Sequence, residues 1–134
     1  MNGATSVEIC QCRMIVRDQQ EALHFYTSVL GFVKKTDAEV GGKRRVTVVS
    51  ADDPEGTELV LEPNENPAMA TYQRALFYAG IPMASFRVGN VRREHDRLAG
   101  RGVQFSVEPG GTERAHTAMF NDTCGNLVLI YEER

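Results

Sequence analysis

Side chains able to do chemistry are spread thinly along this sequence, and their spacing narrows what they could do. Alternation along EICQCRMIV (residues 8–16) puts Gln11, Arg13 and Ile15 on one face of a strand. Along ELVLE (58–62) it puts Glu58, Val60 and Glu62 on one face and Leu59 and Leu61 on the other. An amide, a guanidinium and carboxylates on such faces suit the binding of a polar organic group, and a carboxylate among apolar neighbours suits general-base chemistry. His24 falls at the margin of a helix, and His95 takes an apolar helix position, as a hydrogen-bonded core histidine does. His116 opens a strand after a glycine-rich stretch, where it could reach a substrate. Tyr131 alternates with Leu127 and Leu129. Cys10, Cys12 and Cys124 have no zinc-site spacing. Cys10 and Cys12 point to opposite faces of one strand and should not pair, so all three are expected to be reduced structural thiols, with Cys12 buried. No Ser/His/Asp or Cys/His set has a workable spacing, and no phosphate-cradling glycine loop opens a helix.

The element that must position these groups is VRDQQEALHFYTSVLGF (16–32). Asp18 is an N-cap with Glu21 three residues on, as in a capping box. Ala22, Phe25, Tyr26, Val29 and Leu30 follow one helical face, and Gly31 supplies the C-terminal stop. Strands are expected at 32–40, 45–50 and 58–62, with turns at Gly41-Gly42 and at Asp53–Gly56. Residues 63–80 change character. Pro63 and Pro67 break the strand, and a short helix over 68–78 makes this the linker.

The first pattern then returns: a strand at 83–88, the N-cap Asn90, a helix carrying Val91, His95, Leu98 and Ala99, and strands at 103–108, 116–121 and 127–132. Pro109-Gly110-Gly111 reads as the turn matching Gly41-Gly42, and Asp122–Gly125 matches Asp53–Gly56. Internal duplication is the economical explanation. The expected class is α+β: two tandem βαβββ modules (8–62 and 81–132, joined by 63–80) in one domain. They would form a curved mixed sheet with helices on its outer face and a concave cleft.

The chain has 134 residues, 42% hydrophobic and 25% charged, with a formal net charge of −3, which suits one globular domain. No basic run with interleaved aromatics occurs, which argues against nucleic acid. No apolar run reaches the roughly 18 residues of a membrane span, and the N-terminus does not read as a signal peptide, so a cytoplasmic location is expected.

Taken together, VRD…FYTSVLGF, ELVLEP, GIP before the second module, the GV–F–EP stretch at 102–109 and the DTCGN turn resemble the vicinal oxygen chelate superfamily, also called the glyoxalase/bleomycin-resistance/dioxygenase group. Metal-using members of that group place cleft ligands on the first and last strand of each module. Carried over, these positions are Gln11, Met83, Leu129 and Glu58, or Val60 in place of Glu58 if the Asp-x-x-Gly turns are matched. A thioether is a weak partner for hard divalent ions and leucine is none, so the metal site reads as incomplete, with Gln11 and Glu58 as its remaining ligands. No cofactor is expected beyond a weakly held divalent metal.

The resemblance therefore implies a small-molecule binder with Gln11, Arg13, Met83, Ser85, His116, Leu129 and Tyr131 as contacts. The alternative it implies is a lyase or isomerase with Glu58 as catalytic base; extradiol dioxygenase chemistry is disfavoured because no histidine falls at the four positions. A third reading is a module whose role is association with another protein. Glu58 could equally be paired with Arg13; Arg13 and Arg87 could hold an anionic group of a substrate, although Arg87 is expected to be a surface residue. Members of the group are commonly homodimers, sometimes with exchanged modules.

Overall fold

The computed structural model describes residues 6–111 and 115–133. Strand β1 (Gln11–Val16) leads into helix α1 (Gln19–His24), which a π-helical turn over Phe25–Val29 continues without a break. Strands β2 (Val33–Val40), β3 (Lys43–Val49) and β4 (Glu58–Pro63) complete the first module. Helix α2 (Pro67–Ala79) follows. The second module comprises β5 (Ala84–Arg87), α3 (Val91–Ala99), β6 (Phe105–Gly111), β7 (Ala115–Asn121) and β8 (Leu127–Glu133).

The strands pair as two four-stranded mixed sheets of identical order, β1-β4-β3-β2 and β5-β8-β7-β6. In each, the first and last strands run parallel and the remaining pairs antiparallel. This is the tandem βαβββ arrangement expected of a duplicated chain.

Local chemistry places the helices. The Asp18 side chain accepts from the Glu21 backbone N–H at 2.8 Å, and Asn90 accepts from that of Arg93 at 2.9 Å, so both modules open their helix with the same cap. The end of the first helix differs from an ideal one. The Leu30 N–H reaches back five residues to the Phe25 carbonyl at 2.9 Å, and Gly31 then takes φ +102°. This wider turn leaves Phe25 and Tyr26 buried side by side. The expected Pro109-Gly110-Gly111 turn is instead the end of β6. Gly110 and Gly111 pair with Thr117 and His116 after a register shift, and the connection lies at 112–114, outside the described residues.

One core serves both modules. Met14, Val16, Val46, Val48 and Leu61 meet Ala22, Leu23, Phe25 and Tyr26 of the first helix. That cluster continues into Val91, Leu98, Ala118, Phe120, Val128 and Ile130 of the second module. Phe25 stands 6.1 Å from Phe120, and Phe32 meets Phe86 edge-on at 5.1 Å. Among the described residues, no helix is long and apolar enough to cross a membrane.

Candidate functional site

A cleft of about 1060 Å³ opens where the two modules meet, beyond the ends of the helices that fill the core. Its first wall is the start of β1 and β4 with the end of β3: Cys12, Val48, Val49, Glu58 and Leu59. Leu30, Gly31 and Phe32, where the π-turn ends, form the back. The second wall is β5 (Ser85, Phe86, Arg87) with Glu94 and Leu98 of α3 and Ile130 and Glu132 of β8. β1 and β5 are edge strands, so residues of both their faces can border the opening.

Of the residues expected to do chemistry, the structure brings Glu58 and Ser85 to this cleft. It does not bring Gln11, Arg13, Met83, His116, Leu129 or Tyr131 there. Gln11 is the register partner of Glu58 but is exposed on the sheet face away from α1. Arg13 lies on that face too, and it pairs with Glu62 at 3.7 Å rather than with Glu58; its side chain is 72% exposed. Met83 packs partly buried against the core, its N–H donating to the Leu127 carbonyl at 2.8 Å. Leu129 and Tyr131 pair with Ser85 and Arg87 on the sheet face opposite Val128 and Ile130, both half-buried. His116 takes the other face of its sheet from Thr117 and Tyr131. It aligns with Glu132, with Nδ1 at 3.7 Å from that carboxylate, whose Oε1 also accepts from the Val91 N–H at 2.8 Å. His95, expected in the core, is instead half-buried at its edge: its ring is tilted 4.4 Å from Phe105, and it binds the exposed carboxylates of Asp96 and Glu108, both at 3.0 Å.

Four lining residues were misplaced or missed by the sequence reading. Cys12 is exposed rather than buried, because α1 covers its strand only from Met14 onward. Phe32 and Phe86 meet across the modules, which no within-module periodicity reports. Arg87, expected on the surface, is exposed but borders the cleft. The one available signal was that Phe32 directly follows the helix-stopping Gly31, a place where chain direction changes.

Behind the cleft, a buried polar network joins the modules. The Tyr26 hydroxyl donates to Asp122 Oδ2 at 2.5 Å. The same carboxylate accepts from the Cys124 and Asn126 backbone N–H groups at 2.7 and 3.0 Å and from Asn126 Nδ2 at 2.9 Å. Asn126 and Gln73 both donate to the Ile15 carbonyl, at 2.8 and 3.1 Å, and Asn64 donates to Gln73 at 2.9 Å. Burial pushes the Asp122 carboxyl above its usual range, against the lowering effect of its donors, chiefly Tyr26 and Asn126. Burial, then the Asp122 charge, raises the Tyr26 phenol well above its ordinary value. Burial likewise pushes the Cys124 thiol up to about 12. Sequence reading saw Asp122 only as a turn residue.

The fit of a metal can be tested on the donor set. At the four first- and last-strand positions stand one amide oxygen, one carboxylate, a thioether and a hydrocarbon. The two oxygen donors sit side by side on one sheet, while Leu129 belongs to the other and Met83 lies just before its strand β5. Among the described residues, no three His, Cys, Asp or Glu side chains are grouped to hold an ion. Two oxygen donors fall short of the several hard ligands that a tight divalent-metal centre uses.

Comparison with known proteins agrees with this architecture. The family described as glyoxalase/bleomycin resistance protein/dioxygenase superfamily matches residues 8–130. The chain is 45% identical over 127 residues to the uncharacterized protein YurT of Bacillus subtilis (strain 168), covering 95% of this chain and 100% of that one. Among solved structures, UcmS2 superposes with a TM-score of 0.82 at 30% identity, covering 95% of this chain and 98% of its own. TnmS3, an antibiotic binding protein from Streptomyces sp. CB03234, has the same fold at a TM-score of 0.76 and 24% identity, covering 98% and 100%. The chain belongs to the glyoxalase/bleomycin resistance protein/dioxygenase superfamily.

Proposed function

We propose that this protein binds a small organic molecule in the cleft between its modules, and that binding is its function. The observation that carries this reading is the cleft itself. Phe32 at its back and Phe86 in its second wall meet edge-on at 5.1 Å and give it apolar surface, and Glu58, Ser85 and Arg87 supply polar groups. An apolar pocket with a few convergent polar groups is the usual form of a small-molecule site. The fold shared with TnmS3, an antibiotic binding protein, is compatible with the same reading.

Ser85 is exposed at the mouth, so Ser85→Trp should fill the cleft while leaving the fold intact. Equilibrium dialysis with 1-naphthalenemethanol, a neutral aromatic probe, should show binding to the native protein and at least a tenfold loss (about 1.4 kcal/mol) in this variant. Equal binding by both proteins would place the probe elsewhere and overturn the reading.

In the lyase or isomerase alternative, Glu58 acts as general base on the same bound molecule, supported by its place on the cleft wall. Glu58→Gln would then keep ligand binding and abolish turnover. The weakly held divalent metal of that alternative would have Gln11 and Glu58 as its protein ligands.

Homodimer formation is part of the proposal. Tyr72 and Tyr78 on α2 and the neighbouring Ile81 expose apolar surface, 85% of it in the case of Tyr78. The free thiols support a reducing, cytoplasmic setting.

A further inference from the structure

We propose that the cleft selects organic cations: molecules that carry one or more protonated amines on an apolar body. This rests on the cleft being the ligand site and adds the chemical class of the ligand. Six carboxylates border the cleft (Asp52, Asp53, Glu58, Glu94, Glu132 and Glu133) against the guanidinium of Arg87. The imbalance survives internal pairing. Glu94 is held by Arg97 at 2.8 Å, and Glu132 accepts from the Val91 N–H and lies near His116. Asp52, Asp53, Glu58 and Glu133 form no ion pair among the described residues.

Spacing distinguishes an organic cation from a metal ion. The carboxylates come from the β3–β4 turn, β4, α3 and β8, and no three of the acidic, Cys or His side chains among the described residues converge on one point. A hard ion needs several oxygens within one coordination shell. Carboxylates dispersed over four elements, in a cleft that Phe32 and Phe86 also line, instead suit charge carried on an extended molecule. Phe32, one face of which stacks on Tyr26, and Phe86, which it meets edge-on, supply apolar surface for the body of such a molecule. Low-dielectric walls of one charge sign focus the potential into the opening.

The test uses three probes of one size: 1-naphthylmethylamine (cationic), 1-naphthalenemethanol (neutral) and 1-naphthoate (anionic). Affinities are measured by equilibrium dialysis at about 20 mM and about 500 mM salt. Each exposed charge contact contributes a few-fold at most, so several together should favour the amine over the alcohol by about tenfold at low salt. The naphthoate should bind weakest, and the preference should shrink at high salt. Asp52→Asn with Glu133→Gln removes two exposed carboxylates that form no ion pair among the described residues and should lower the amine's affinity several-fold more than the alcohol's.

Equal affinity for amine and alcohol, or a preference unmoved by the double variant, would overturn the cation assignment and leave the cleft in place as a site. Binding of the alcohol that Ser85→Trp fails to disturb would instead overturn the cleft, and the cation assignment with it.

Discussion

At the residue scale, the strongest chemistry in this chain is the bond between Tyr26 and Asp122. The buried Asp122 carboxylate forms no ion pair among the described residues and is held by four hydrogen-bond donors. Tyr26→Phe removes one of them and leaves a buried acceptor short. Hydrogen bonds to a charged group contribute roughly 1.5–3 kcal/mol, so this variant should lose about 2 kcal/mol in urea denaturation. The pH dependence has a definite sign. Because the folded Asp122 holds its proton more tightly than the unfolded one, its contribution favours the fold below the usual carboxylate range and is lost as pH rises through the raised folded value. Asp37, held down by its hydrogen bond from Arg44, works the other way, and its contribution fades as pH falls. Asp122→Asn leaves two amide donors, its own and that of Asn126, facing one another. It should be less stable at every pH, and native-minus-variant stability should decline as pH rises from 4 toward neutrality. A flat difference across denaturation curves would mean that Asp122 does not titrate there.

At the scale of elements, both modules repeat one plan, and the places where they differ are informative. The turn before the last strand is Asp53–Gly56 in one module and Asp122–Gly125 in the other. Only the second carries the network that reaches β1 and α2. Gly125 has φ +100°, and a methyl placed there would meet Gln73 Nε2 at 2.7 Å. Gly125→Ala should therefore cost about 2 kcal/mol through strain and displacement of Gln73, seen as a drop in thermal midpoint of several degrees. At Gly89, φ is ordinary and a methyl would meet nothing within 4 Å, so Gly89→Ala should be neutral. Duplication, caps and most turns were legible in the sequence because each rests on residues within a few positions of one another; Pro109-Gly110-Gly111, which extends β6 instead, was the exception. Which copy of the turn would tie the modules together was not, since Gln73 comes from a helix 52 positions before Gly125.

At the scale of the whole molecule, the two modules share one core, so they should unfold as one. Phe25 is 5% exposed and touches both Tyr26 and Phe120. Phe25→Ala should cost about 3–5 kcal/mol and lower protection from hydrogen exchange in both sheets together. Loss confined to β1–β4 would show that the modules are independent. α2 contributes little to this core. Gln73 is its one fully buried residue among 13, and it holds the network by its amide rather than by apolar packing. If its exposed face joins a second copy of the chain, Tyr78→Glu should shift sedimentation equilibrium toward monomer.

The sequence alone determined the elements and their order. Caps at Asp18 and Asn90, glycine stops and alternating strands act over a few residues, and the repeated pattern fixes the class of fold. Alternation also told which residues share a sheet face, and it correctly grouped Gln11 with Arg13 and Glu58 with Glu62. It could not tell what stands opposite a face, where a helix stops covering a strand, or which aromatics meet across the modules. Those outcomes depend on docking between residues far apart in the chain. Cys12 is open because α1 ends short of it, Arg87 borders the cleft because β5 is an edge strand, and Phe32 reaches Phe86 only once the shared core has closed.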